Sequence, residues 1–280
     1  MATFSGADGT TLAYHLAGEG APLICLPGGP MQASAYLGDL GGLATHGALV
    51  RLDLRGTGDS AVPEDPATYR CDRQVDDVEA LRAHLGLERI DLFGHSAGGT
   101  LAILYAIRYP DRVRRLVLAA PSPRPAGLEI TDADRREVAE QRRGEPWFAP
   151  AWAAFERIWA GDRTAADWAA ITPFSHGRWD AAREALAAEE SAQRNDEAAA
   201  AYYADGALDP PAVRAALTTL RAPVLLVSGE LDVGLPPKCA AEYAGCFRRA
   251  ELIAQPGAGH YPWLDDPDGF AQTVTGFLRT

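Results

Sequence analysis

Leu92-Phe93-Gly94-His95-Ser96-Ala97-Gly98-Gly99 decides the fold. It ends an apolar run that begins at Ile90, passes through Gly-x-Ser-x-Gly, and runs into a helix expected over Thr100–Arg108. A serine on so tight a strand-to-helix turn needs small neighbours, and Gly94 and Gly98 supply them. The Ser96 hydroxyl is then exposed above a sheet edge, with the positive end of the following helix beside it. With 28 glycines in 280 residues and eight serines, roughly 0.1 accidental matches of the pattern are expected, so this one carries information. The apolar residues Leu101, Leu104, Tyr105 and Ile107 that follow suit a buried helix rather than a surface loop.

Short apolar runs on either side continue the theme. Thr11–Leu16, Leu23–Leu26, Leu49–Leu52, Val113–Ala119, Pro223–Ser228 and Ala250–Ile253 read as strands, and Asp72–Leu85, Lys238–Ala244 and Pro267–Leu278 read as helices. The alternation predicts an α/β protein with a mostly parallel central sheet and helices on both faces. It stops after Pro121 and resumes after Pro211, and the intervening helical stretch holds Trp147, Trp152, Trp159, Trp168 and Trp179. The expected division is a core over residues 1–121 and 213–280, interrupted by an inserted helical cap over 122–212. Trp152, Phe155 and Trp159 have helical spacing and belong to a cap core; the sequence does not sort which other rings face a pocket. Glu184–Ala201, rich in alanine and glutamate, reads as an exposed helix. Asp53, Arg55 and Asp59, in a glycine-rich turn, are expected to fasten their own loop rather than to catalyse.

Composition excludes several classes of function. A net charge of −12 leaves no basic footprint for nucleic acid. No apolar stretch approaches the span of a bilayer, and the first twenty residues lack the basic-then-apolar order of a secretory leader, so a cytoplasmic protein is expected. Cys25, Cys71, Cys239 and Cys246 form no CxxC pair, and no His/Cys/Asp group has metal-ligand spacing. The glycines around Ser96 lack a P-loop lysine, and no dinucleotide fingerprint appears. No cofactor and no metal are therefore expected, only a small-molecule or short-peptide substrate; the oligomeric state is not readable.

Ser96, Asp232 and His260 fall in the order nucleophile, acid, histidine, each just past an apolar strand. Parallel strands bring their C-terminal ends to one sheet edge, so residues this remote can converge. His260 would take the serine proton and return it to the leaving group, with Asp232 holding the imidazole tautomer. The Ala97 and Gly29 amides are the candidate oxyanion donors, Gly29 lying in the Pro27-Gly28-Gly29-Pro30 loop after a strand. His95 should point away from the serine hydroxyl, and Glu230 and Asp205 are the alternative acids.

Taken together, Leu26-Pro27-Gly28-Gly29-Pro30, Asp53-Leu54-Arg55-Gly56-Thr57-Gly58-Asp59-Ser60, Gly94-His95-Ser96-Ala97-Gly98, Gly229-Glu230-Leu231-Asp232 and Gly257-Ala258-Gly259-His260 resemble the α/β-hydrolase superfamily over nearly the whole chain. The Gly-Gly-Pro loop is most similar to that of proline iminopeptidases, which read His-Gly-Gly-Pro-Gly where this chain has Pro27 and Met31 as flanks. The resemblance implies a cofactor-free serine hydrolase that removes an N-terminal aminoacyl group through an acyl-enzyme. Such enzymes hold the substrate ammonium with a carboxylate, and Glu189 and Glu190 in the cap are the candidates. Only one of them can face a pocket, because adjacent helical residues point about 100° apart. The alternative is two solvated glutamates on a helix that also carries Glu184; relatives with an acid after the triad aspartate differ from this chain, which has Val233. An esterase or lactonase acting on a small apolar ester under the cap is the competing enzyme reading, and a binding protein on the same fold is the non-enzymatic one.

Overall fold

Eight strands, β1 (Ala2–Ser5), β2 (Thr11–Ala17), β3 (Pro22–Leu26), β4 (Ala48–Leu52), β5 (Ile90–His95), β6 (Val113–Ala119), β7 (Val224–Gly229) and β8 (Ala250–Gln255), make one sheet in the order β1-β2-β4-β3-β5-β6-β7-β8. The computed structural model describes residues 1–280. β2 runs antiparallel to both of its neighbours, and every pairing from β4 to β8 is parallel.

Both faces of the sheet are buried, which is why its central strands read as unbroken apolar runs. In β6, Leu116 and Leu118 enter one apolar cluster while Val117 and Ala119 enter the other; β7 repeats this with Val224 and Leu226 against Leu225 and Val227. α1 (Val75–His84) and α2 (Ala97–Arg108) cover the first face. Between β6 and β7 the chain is helical, with α3 (Asp132–Ala139), α4 (Phe148–Ala160), α5 (Ala165–Ala170), α6 (Ala181–Ser191), α7 (Asp196–Tyr202) and α8 (Pro210–Leu217). α9 (Pro237–Ala244) returns to the first face, and α10 (Pro262–Asp265) and α11 (Pro267–Arg279) close the second, where Trp263, Phe270 and Val274 are buried. No helix is long and apolar enough to cross a membrane.

The helical insertion has a small core of its own. Val138, Ala151, Phe155 and Phe174 are buried together with Trp147, Trp152 and Trp159 packed around them, and Val233 from the loop after β7 joins the same cluster. Phe155 and Trp159 stack at 4.3 Å. Trp168 is instead half exposed.

Three features depart from the sequence expectation. β1 was not anticipated; it is short and gains its place by antiparallel pairing with β2 at the sheet edge. Glu184–Ala201 is not one helix but parts of α6 and α7, split because Asn195 caps α7 through Ala198 N–H and donates from Nδ2 to the Gly56 carbonyl. Asparagine favours such a cap over a helix interior. α8 straddles the expected boundary at 212 and packs against α2 and the turn at Arg124–Ala126, so it serves the sheet layer rather than the cap.

Candidate active site

β5 leads directly into Ser96, whose backbone is forced to φ 51° and ψ −118° before α2 begins. A non-glycine residue in that region costs about 1–3 kcal/mol and persists only where its surroundings impose it. Here they do. A Cβ on Gly94 would lie 2.7 Å from the Gly98 carbonyl oxygen, and one on Gly98 would run into the carbonyls of Leu26 and Pro27, so both elbow glycines are sterically required. Ser96 is partly exposed and, with His260, lines a cavity of about 620 Å³.

Asp232 and His260 occupy the loops after β7 and β8 and meet there. His260 Nδ1 is 2.9 Å from Asp232 Oδ2 and 3.1 Å from Oδ1, and Oδ1 also accepts the Gly234 N–H at 2.7 Å. An ionised carboxylate can only accept, so Nδ1 carries the proton and Nε2 is left with a free lone pair. Burial pushes the imidazole pKa down, but the charge and hydrogen bond of Asp232 lift it above its ordinary 6.5. Gly234 must remain small. A Cβ there would sit 2.9 Å from His260 Nδ1 and 3.0 Å from Asp232 Oδ1.

Gly29 has φ +111°, and its N–H donates to nothing within the protein. Ala97 is the first residue of α2, so its N–H is one of the donors a helix start leaves unpaired. The adjacent Gly28 N–H donates to Tyr36 Oη at 2.7 Å, Tyr36 lies 2.7 Å from His95 Nδ1, and His95 Nε2 lies 2.9 Å from the His260 carbonyl oxygen. A carbonyl only accepts, so His95 donates from Nε2 and accepts the Tyr36 hydroxyl proton at Nδ1. Burial holds His95 well below its ordinary pKa, consistent with this neutral form. His95 thus points away from the Ser96 hydroxyl and couples the glycine loop to the backbone of His260. Tyr36 was not anticipated; it is 59 residues from His95 in sequence and follows no motif.

The two cap glutamates part company. Glu189 is exposed and Glu190 is buried, and both border a separate cavity with Tyr36 and Trp263 rather than the one shared by Ser96 and His260. Burial raises the Glu190 carboxyl to about 7 against the opposing pull of the Tyr261 and Gln32 side chains, and its Oε1 has no hydrogen-bond partner. None of the cap tryptophans lines the Ser96 cavity; its wall is instead mostly the stretch after β6, with Arg124, Glu129 and Arg135 as its charged residues.

The remaining candidates have structural partners. Glu230 accepts the Gly257 N–H, and Asp205 is exposed. His15, Asp53 and Asp59 come together, but the Asp53 oxygens accept the Ser34 and Asp59 N–H groups at 2.8 and 3.0 Å, which fastens the loop. Arg55 is held by Asp77 and Asp8. The arrangement at the sheet edge is chemically that of a strained serine, an imidazole with one lone pair free, and two amides available for a developing negative charge.

Comparison with known proteins agrees with this architecture. The chain matches the alpha/beta hydrolase fold family over residues 21–267. It is 30% identical to 2-hydroxymuconate semialdehyde hydrolase of Pseudomonas sp. (strain CF600), covering 97% of this chain and 92% of that protein. Proline iminopeptidase of Lactobacillus helveticus (strain DPC 4571) is 37% identical, over 38% of this chain and 39% of its own length. Among solved structures, an esterase from Thermogutta terrifontis superposes with a TM-score of 0.68 at 26% identity, covering 99% of this chain and 97% of that one. A family match across most of the chain and a relative aligned nearly end to end establish that this protein belongs to the alpha/beta hydrolase fold family.

Proposed function

We propose that the protein is a cofactor-free serine hydrolase of small esters. In this reading Ser96 Oγ attacks the acyl carbon while His260 Nε2 takes its proton, and the Gly29 and Ala97 N–H groups receive the oxyanion. Collapse of the tetrahedral intermediate expels the alcohol, which leaves with the proton carried by His260. Water, deprotonated by the same nitrogen, then releases the acid from Ser96. Asp232 stabilises the imidazolium formed in each half. The observation that carries the reading is that Ser96, on its strained turn, shares one cavity with a His260 held by Asp232.

An ester is preferred to an N-terminal aminoacyl group because the charged wall of the cavity contributes the guanidinium groups of Arg124 and Arg135, poor company for a substrate ammonium. The sequence similarity to the Lactobacillus helveticus proline iminopeptidase covers 38% of the chain, whereas that to 2-hydroxymuconate semialdehyde hydrolase covers 97% of it; a proline iminopeptidase structure from Mycobacterium smegmatis superposes over 99% of the chain at 24% identity, a likeness of fold that does not separate the two readings. Aminopeptidase activity is the second reading, favoured by the buried Glu190 carboxyl with an unpartnered oxygen. A fluorophosphonate probe should label wild type and not Ser96→Ala. Wild type should hydrolyse 4-nitrophenyl acetate and butyrate with activity lost in Ser96→Ala. Cleavage of prolyl and alanyl arylamides, but not of their N-acetylated forms, would replace the ester reading with the aminopeptidase one.

A further inference from the structure

Arg135 stands on α3 with its guanidinium in the wall of the cavity that holds Ser96 and His260. One nitrogen is engaged: Nη1 donates to the Val233 carbonyl at 2.6 Å. No carboxylate pairs with it. Asp232, whose charge the guanidinium feels, is committed to His260 and the Gly234 amide. A guanidinium carries five N–H donors and cannot shed its charge at ordinary pH, so its remaining donors are left without a partner in the protein at a residue that lines the cavity. Burial lowers its pKa against the opposing pull of the Asp232 and Asp132 charges, neither of which forms an ion pair with it. Arg124 lines the same wall, lies 5.1 Å from the Tyr203 ring centre, and likewise has no ion-pair partner; the opposing charge on the wall is the exposed Glu129. In a chain of net charge −12, a wall with two unpaired guanidinium groups beside the reactive serine is a local reversal of sign.

We propose that Arg135, assisted by Arg124, binds a carboxylate on the substrate, so that the protein acts on esters that carry an acid group within reach of the scissile bond. Planar N–H pairs match a carboxylate in bidentate fashion, and the pairing would fix which face of the ester meets Ser96. The donation to Val233 keeps the guanidinium in place before substrate arrives. This assignment rests on the serine hydrolase reading above.

The test uses two acids of opposite polarity: a mono-aryl adipate, with its carboxylate on the acyl side, and 3-acetoxybenzoate, with its carboxylate on the leaving group. Each is compared with its methyl ester, in wild type, Arg135→Gln and Arg135→Lys. Wild type should favour at least one acid over its methyl ester by tenfold or more in kcat/KM. Arg135→Gln should lose at least tenfold more on that acid than on its methyl ester, with Arg135→Lys in between. A wild-type preference for both methyl esters overturns the assignment while leaving the hydrolase reading intact, and it does so whether or not the variants fold. Equal losses on acid and methyl ester in Arg135→Gln also overturn it, reducing Arg135 to a fastener of Val233. No turnover of any of the four, with no probe labelling of Ser96, removes the hydrolase reading first and this assignment with it.

Discussion

Glu190→Gln isolates the cost of a buried carboxyl. Burial raises the folded-state pKa of Glu190 from an ordinary 4.5 to about 7. An acid whose folded pKa lies above its unfolded one favours the folded state fully below the unfolded value, and that contribution is lost as pH climbs through the folded value. The window is therefore pH 4.5 to about 7. At about 1.4 kcal/mol per pH unit, the loss across it is about 3 kcal/mol. Glutamine resembles the protonated acid and does not titrate, so the variant should match wild type near pH 4.5 and exceed it by about 3 kcal/mol above pH 8. For a chain of this size that corresponds to roughly 6 °C in Tm. Thermal melts of both proteins by circular dichroism, from pH 4.5 to 8.5, measure the difference directly, since all other titrating groups are common to both. Parallel Tm curves across the range would refute the reasoning, and would mean that Glu190 ionises in the folded protein as easily as in water.

Three further outcomes follow from the site. Asp232→Asn should lower kcat on the order of 10⁴-fold, by stabilising the wrong imidazole tautomer; the acid limb of its kcat/KM profile should also move to lower pH, because the carboxylate that raises the His260 pKa is gone. Tyr36→Phe removes the acceptor of the Gly28 N–H and the donor to His95, leaving two buried groups unpaired, and should cost about 2–4 kcal/mol in denaturant unfolding together with a fall in kcat/KM. Gly234→Ala places a methyl group 2.9 Å from His260 Nδ1, and should cut turnover of whichever substrate wild type hydrolyses tenfold or more with little change in Tm; unchanged kinetics would mean that the loop can yield.

What is legible in the sequence is what the chain decides locally. The elbow shows itself because Gly94 and Gly98 must be small within a few residues of Ser96, and the strands of the parallel sheet show themselves because burial on both faces demands unbroken apolar runs. Trp152, Phe155 and Trp159 carry their helical spacing openly and pack as that spacing implies. Asp232 and His260 stand out by following strands, and the structure brings their side chains to 2.9 Å. Contacts made across long stretches of chain leave no such mark. Tyr36 reaches His95 over 59 residues, and nothing around it distinguishes it from a core tyrosine. Arg135, in a helix thick with charged residues, looks solvated until α3 is laid against the loop after β7. Glu189 and Glu190 differ only in the rotation of α6, and that rotation is set by packing rather than by the residues themselves.

The loops that carry the acid and the histidine are fastened to the cap by separate ties. Val233, next to Asp232, has its side chain in the cap core and its carbonyl on Arg135; the His260 N–H donates to Ser175 in the cap, and Asp265 accepts the amides of both Gly177 and Gly259. A cap swinging away as a rigid body would have to break these ties or drag both loops off the sheet edge. The helical insertion is thus part of the frame that holds Asp232 and His260, and its first stretch, between Ser122 and Ile130, also supplies most of the cavity wall. Exchanging this insertion for that of a relative would have to preserve the partners it offers to Val233, His260 and Asp265, or lose the geometry of the site.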